Sequence, residues 1–124
     1  MDGVISRDAK LQDAAADVAR RFSEFDAYGS EARALAALAR HAPGHPKRVY
    51  SAAFGTFLKL FERTRALLLN PDFHRPLKPG QRFIEFEDIE TERMYRILEE
   101  EYPAVLPGEV RGVVAWTVYW HYLK

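Results

Sequence analysis

The positions of helix-breaking residues constrain this chain more than any other feature of its sequence. Breakers fall at Tyr28-Gly29-Ser30, at Pro43-Gly44, at Asn70-Pro71, and at Pro103 with Pro107. Outside residues 71–87, each long interval between them carries apolar residues three or four positions apart, the spacing of a helix that buries one face. The sequence therefore predicts an all-α fold of about five helices in a bundle-like or orthogonal array.

Each predicted helix has a recognisable start signal. Asp8, Ser30 and Asp88 suit the N-cap position, because their side-chain oxygens can accept hydrogen bonds from the free N–H groups of a first turn. Pro46 and Pro107 suit the first helical position, where the missing N–H group would be unpaired anyway. These signals predict where the helices begin.

The third helix is expected to lie at the centre of the fold. Its apolar stripe is wide and aromatic, and a helix apolar over so much of its circumference packs on two sides. Gly55 lies inside this helix and costs about 1 kcal/mol relative to alanine. We expect a close contact with another helix at Gly55 to offset this cost.

Residues 71–87 form the least regular part of the chain. Three prolines and Gly80 exclude a continuous helix there. The alternation of residues 83–87 predicts a short strand or extended segment. A connection of this length in a compact domain is more often functional or mobile than a short link.

The composition indicates one globular helical domain over residues 1–124. The chain has 18 basic and 18 acidic residues, and this balance argues against a dedicated binder of nucleic acid or anionic membranes. A chain with zero net charge can nevertheless have a basic surface. The absence of cysteine excludes disulfides and thiolate sites. Without a signal-peptide core or a bilayer-spanning segment, we expect a cytoplasmic protein with no membrane contact.

Two of the four histidines raise the hypothesis of a metal site. His41 and His45 have the spacing that places two ligands on one helix face. Pro43-Gly44 lies between them and breaks that helix, and the glutamate of a His-Glu-x-x-His motif is missing. We therefore expect no metal and no cofactor.

The segment Arg40-His41-Ala42-Pro43-Gly44-His45 resembles the Arg-x4-His element of HEPN-type helical ribonucleases. The resemblance covers six residues and includes a polar residue directly after the arginine. It implies RNA cleavage by Arg40 and His45 in a groove between two copies of the chain. The Pro-Gly pair departs from the family's helical setting.

A second nucleic-acid hypothesis is a helix-turn-helix over residues 34–51. Lys47, Arg48 and Ser51 would then face phosphates or bases at the start of a recognition helix. The aromatic stripe of that helix belongs in a core, and the neutral net charge also counts against DNA binding.

A non-enzymatic protein-interaction module, such as an accessory subunit, an antitoxin or immunity-type protein, or a regulator, is the function that the sequence favours. No nucleotide-binding loop, nucleophile elbow or zinc-protease signature is present. The last helix is apolar nearly all round, and tryptophan and tyrosine are frequent interface anchors. The residues predicted to contact a partner are Trp116, Tyr119, Trp120, Phe73, His74, Arg75, Arg82, Glu85 and Glu87.

The partner is expected to be another protein, with a second copy of the chain as one candidate. The acidic residues 85–92 would steer a basic partner. Two alternatives stay open: complete burial of the aromatic side of the last helix in the core, and a small-molecule site between the third helix and residues 71–87.

Overall fold

The computed structural model describes residues 5–76, 78–82 and 89–122 of the chain. Within these ranges the chain forms five α-helices and one 3-10 turn, Pro71–Phe73. The helices are α1 (Ala9–Phe25), α2 (Glu31–His41), α3 (Lys47–Leu69), α4 (Thr91–Glu101) and α5 (Pro107–Tyr122). The predicted all-α fold with five helices and one irregular loop is confirmed.

Local capping explains where the first helices begin and end. Asp8 Oδ1 accepts hydrogen bonds from the Lys10 and Leu11 amides at 2.9 and 3.2 Å, and Ser30 Oγ accepts one from the Arg33 amide at 3.2 Å. Both predicted N-caps are therefore confirmed. The first helix ends earlier than expected, because Asp26 adopts a left-handed conformation with φ of 50° and redirects the chain.

The start of α4 is fixed by long-range pairing. An antiparallel bridge joins His74 to Ile89, and the Glu90 amide donates to the Phe73 carbonyl at 2.9 Å. Glu90 occupies the N-cap position but its side chain makes no capping hydrogen bond. The predicted cap at Asp88 and the predicted extended segment over 83–87 lie outside the described residues.

Helix α3 is the centre of the fold, as its sequence predicts. It contacts each of the other four helices. Phe54, Phe57, Leu60 and Phe61 on α3 are at most 2 % exposed, and the Phe54 ring meets the Phe22 ring of α1 edge-on at 5.3 Å. The prediction for Gly55 is wrong for the described residues, because none of their atoms outside α3 lies within 4 Å of the position that a Cβ would take there.

A buried glutamine ties the connection between α4 and α5 to α1. Gln12 is fully buried, and its Nε2 donates to the carbonyls of Ser6 and Ala104, both at 2.9 Å. Its Oε1 accepts from the Leu106 amide at 2.8 Å. One side chain thus satisfies three backbone groups where the N-terminal segment, α1 and the α4–α5 connection meet.

Two carboxylates oppose each other where α1 meets the start of α5. Burial and the neighbouring Asp13 carboxylate both raise the pKa of Glu109 above its ordinary value. The folded protein therefore binds the Glu109 proton more tightly than the unfolded chain does. The folded state is relatively less stable when Glu109 is ionised, and it gains stability as the pH falls through the raised pKa.

We expect Asp13→Asn to raise the free energy of unfolding at pH 7 by about 0.5 kcal/mol, because the amide removes a like charge and can donate to Glu109. Urea unfolding at pH 7 and about pH 4 measures this. The gain should shrink at the lower pH, where Glu109 is increasingly protonated. Equal gains at both pH values, or a loss at pH 7, would contradict the repulsion. Glu100→Gln, at an exposed position of α4, is the control.

Candidate protein-interaction surfaces

Four aromatic side chains from the C-terminal ends of α1 and α5 meet at the surface. We call Phe25, Trp116, Tyr119 and Trp120 the aromatic patch. The Trp116 and Trp120 rings stack with centroids 5.5 Å apart and planes at 20°. Phe25 meets Trp120 edge-on at 5.1 Å, and Tyr119 lies 5.8 Å from Trp116. Phe25 and Tyr119 remain 47 % and 49 % exposed.

The patch exists because α5 has two different apolar sides. Its core side consists of Val110, Val113, Val114, Thr117 and Val118, all buried. The aromatic residues project from the adjacent side, where the two tryptophans are half-buried. The indole N–H of Trp116 is buried without an acceptor among the described residues, whereas most buried polar groups are hydrogen-bonded. The fold therefore fills its core next to α5 with valines and leaves the aromatic side at the edge.

Charged residues of α1 border the patch and pair with one another. The Arg20 guanidinium lies 4.5 Å above the Trp116 ring. Asp17 accepts hydrogen bonds from Arg20 at 2.7 Å and from Arg21 at 3.0 Å. Burial opposes ionisation of Asp17, but these two hydrogen bonds outweigh it and lower the pKa of the carboxyl. The patch is therefore an aromatic surface whose charged neighbours on α1 are paired with one another.

The loop residues predicted to contact a partner lie apart from this cluster. Phe73 is 4 % exposed, and the Arg93 guanidinium lies 4.4 Å above its ring. His74 Nε2 lies 2.6 Å from the Leu68 carbonyl. These two side chains hold the base of the loop between α3 and α4. Arg75 and Arg82 are exposed on the loop, while Glu85 and Glu87 lie outside the described residues.

The acidic start of α4 is partly neutralised within the chain. Glu90 lies 3.4 Å from Arg93, and Glu92 lies 3.8 Å from Arg111. Among the described residues, these pairs weaken the electrostatic steering of a basic partner that the sequence suggests. The patch is therefore the better-defined contact surface.

A groove of about 710 Å³ lies between α2 and the start of α3. The α2 side presents mostly alanine and leucine, and α3 supplies the opposite wall. The lining residues are Glu31, Ala32, Leu35, Ala36, Ala39, His45, Lys47, Tyr50 and Ser51. The predicted small-molecule site against residues 71–87 falls partly outside the described residues, and this groove lies elsewhere on α3.

The two residues of the ribonuclease-like segment have different surroundings. His45 Nε2 lies 3.3 Å from Asp8 Oδ2, and the His45 ring meets Tyr50 edge-on at 5.7 Å. The Tyr50 hydroxyl donates to the Ala42 carbonyl at 2.6 Å and accepts from the His45 amide at 3.2 Å. His45 thus links the α2–α3 turn to the N-cap of α1, whereas Arg40 is exposed near the end of α2. RNA cleavage by this pair stays a prediction.

The helix-turn-helix residues occupy the exposed start of α3. Lys47, Arg48 and Ser51 all face solvent, and five residues separate α2 from α3. Further along α3, Phe54 and Phe57 are buried in the core, so the aromatic stripe of the helix is closed to a nucleic acid. DNA binding by these residues also stays a prediction.

None of the helices in the described part of the chain is both long and apolar enough to cross a membrane. Within the same ranges, histidine and carboxylate side chains do not gather in groups of three that could hold a metal ion. The candidate surfaces among the described residues are aromatic, apolar and charged.

Comparison of the chain with protein-family models, with curated proteins and with solved structures gave no match.

Proposed function

We propose that this chain is a protein-binding helical domain whose recognition surface is the aromatic patch, and that it has no enzymatic activity of its own. The observation that carries the proposal is the contiguity of four aromatic rings, two of which are about half exposed. Single exposed apolar residues are normal, but contiguous ones rimmed by polar groups mark interaction sites.

The patch is suited to tight binding because its rings are already held in place. Stacking of Trp116 on Trp120 and of Arg20 on Trp116 restricts these side chains before a partner arrives. A partner then has fewer side chains to immobilise, and less of the binding energy is lost to ordering. Tryptophan and tyrosine are also the residues that most often dominate the energy of an interface.

The paired border determines the chemistry of the partner. Asp17 pairs with both Arg20 and Arg21, so these three residues together carry only one net positive charge to attract a charged protein. An apolar, nearly neutral partner surface is the complement. A second copy of this chain would present the same aromatic surface with the same paired border.

Charge introduced into the patch tests the proposal. We expect Tyr119→Glu to weaken partner binding at least tenfold, because a carboxylate would be buried against apolar groups. Its free energy of unfolding should change by no more than about 0.5 kcal/mol, because Tyr119 is half exposed. Sedimentation velocity measures self-association, and capture from host-cell extract with quantitative mass spectrometry measures other partners.

Leu69→Glu is the matched control, since Leu69 is an exposed apolar residue at the end of α3, 58 % accessible and outside the patch. It should retain the wild-type partners and mass. If Tyr119→Glu retains them too, or if Leu69→Glu loses them equally, the aromatic patch is not the recognition surface.

A further inference from the structure

The neutral total charge of the chain conceals a basic segment. Residues 32–61 contain five lysine and arginine residues and no aspartate or glutamate. Because the formal net charge of the whole chain is zero, acidic residues outnumber lysine and arginine by five in the rest of the chain. The segment comprises most of α2, the turn, and the first two-thirds of α3.

Four basic residues of this segment flank the turn between α2 and α3. Arg40 and His41 end α2, while Lys47 and Arg48 begin α3, and all four are exposed. None of the four has a carboxylate partner among the described residues. We call these four residues the basic corner.

The basic corner differs from the two arginines further along α3, which pair with carboxylates. Arg63 of α3 forms two hydrogen bonds to Glu101, both at 2.9 Å, and Arg65 pairs with Glu24. The start of α3 adds to the positive field, because Pro46 gives it no side-chain cap and the first N–H groups point outward. The corner therefore keeps an attraction for acidic groups that the described residues do not satisfy.

The basic corner adjoins the apolar groove between α2 and α3. The floor of the groove is the outer side of α2, opposite the buried Ala34, Ala37 and Leu38. It consists of Ala32, Leu35, Ala36 and Ala39. Their spacing of three and four residues forms a continuous stripe along the helix, and their small size permits the close approach of another helix.

Gly55 supports contact with a helix from outside the chain. It lies one turn beyond Ser51 of the groove wall, on the same side of α3. No contact within the described chain requires its small size, although glycine inside a helix costs stability. A helix lying along the groove would pass over this position.

We infer that the groove is a second binding site, distinct from the aromatic patch, and that its occupant is an acidic amphipathic helix of a partner protein. The apolar face of that helix lies on the alanine stripe, and its carboxylates meet Lys47 and Arg48. This is helix-in-groove recognition, in which the groove supplies affinity and the charged rim fixes the orientation. A nucleic acid fits less well, because the floor of the groove is apolar, whereas binding of nucleic acids depends on cations along the contact that neutralise the phosphates.

Photo-crosslinking from the groove identifies the occupant. The full chain carrying p-benzoylphenylalanine at Ala36 is expressed in its native host and irradiated, and the crosslinked segment is sequenced. The same residue at Glu100, which is exposed on α4, is the control. We expect adducts from Ala36 only, on a segment with helical apolar spacing and an excess of acidic residues.

A synthetic peptide of that segment then tests the role of the basic corner. We expect the double variant Lys47→Glu with Arg48→Glu to bind this peptide at least tenfold more weakly than wild type. A peptide whose acidic residues are changed to lysine should bind that variant again. Arg96→Glu, at an exposed cation on α4 away from the groove, should bind within twofold of wild type. Tyr119→Glu should also bind normally, which separates this site from the patch.

Several results would overturn the inference. The first is that adducts from Ala36 are no more abundant than those from Glu100. The second is an adduct to a nucleic acid, to a second copy of this chain or to a segment without acidic residues. The third is that the charge reversal leaves the affinity for the peptide unchanged. Circular dichroism of each variant shows whether a lost adduct or lost binding instead reflects a lost fold. If Ala36 does not tolerate the probe, Ser51 on the opposite wall is the replacement position.

Discussion

Phe57→Ala is expected to lower the free energy of unfolding by about 4 kcal/mol. Phe57 is fully buried in α3, the helix that contacts all four others, so truncation leaves a cavity that no single element can close. Domains of this size are stable by roughly 5–15 kcal/mol, and the variant should therefore lie close to the limit of folding. Urea unfolding followed by circular dichroism measures the change.

Phe25→Ala is the matched control, because it makes the same change in a ring that is 47 % exposed. We expect a loss of about 1 kcal/mol there, from the contacts with Trp116 and Trp120. Similar losses for the two variants would mean that Phe25 belongs to the core and that the aromatic patch is wrongly assigned. The pair therefore tests both the central helix and the surface.

Gln12→Ala is expected to lower the free energy of unfolding by about 3 kcal/mol. The substitution removes three hydrogen bonds and leaves the Leu106 amide and the carbonyls of Ser6 and Ala104 without their partner. Burying an unpaired polar group costs more than a hydrogen bond contributes, because the group has also lost its water. Denaturant unfolding should show this loss with an unchanged m-value.

Thr64→Val is the control for Gln12→Ala, because it also removes a buried polar group. Thr64 is also fully buried, but its hydroxyl donates only to the Leu60 carbonyl of its own helix, at 2.6 Å. We expect a change below about 1 kcal/mol, because valine has nearly the same shape and no distant backbone group is left unpaired. A Gln12→Ala loss no larger than that of Thr64→Val would show that Gln12 does not hold the α4–α5 connection.

The sequence predicts those parts of the fold that local signals determine. The side chains of Asp8 and Ser30 act within three residues of themselves, and Asn70-Pro71 ends α3 through its own backbone restrictions. The number of helices and the central place of α3 follow from such signals and from apolar spacing. They need no knowledge of which helix packs against which.

Features that depend on tertiary packing are not predictable in this way. Gln12 follows Leu11 on the inner side of α1, and the backbone groups that it binds in the α4–α5 connection lie 92 and 94 residues away. No local pattern marks it. The last helix is apolar nearly all round, and only the packing of Val114 and Val118 against the core decides that the aromatic side faces outward.

The basic corner did have a signal in the sequence. A count of charge over the whole chain gives zero and conceals it, whereas a count along the chain shows no acidic residue between positions 32 and 61. The structure adds what the count lacks: Lys47 adjoins an apolar groove, and the corner has no carboxylate partner among the described residues.

Photo-crosslinking from the aromatic patch tests most directly whether this surface meets a protein. With p-benzoylphenylalanine in place of Tyr119, irradiation in the native host should give one predominant covalent adduct of defined mass. An adduct of twice the chain mass would identify a second copy, and any other mass a different partner. The same probe at Leu69 should give none. Adducts from position 119 that are no more abundant than those from position 69, in a protein shown to be folded, would contradict a recognition surface at the patch.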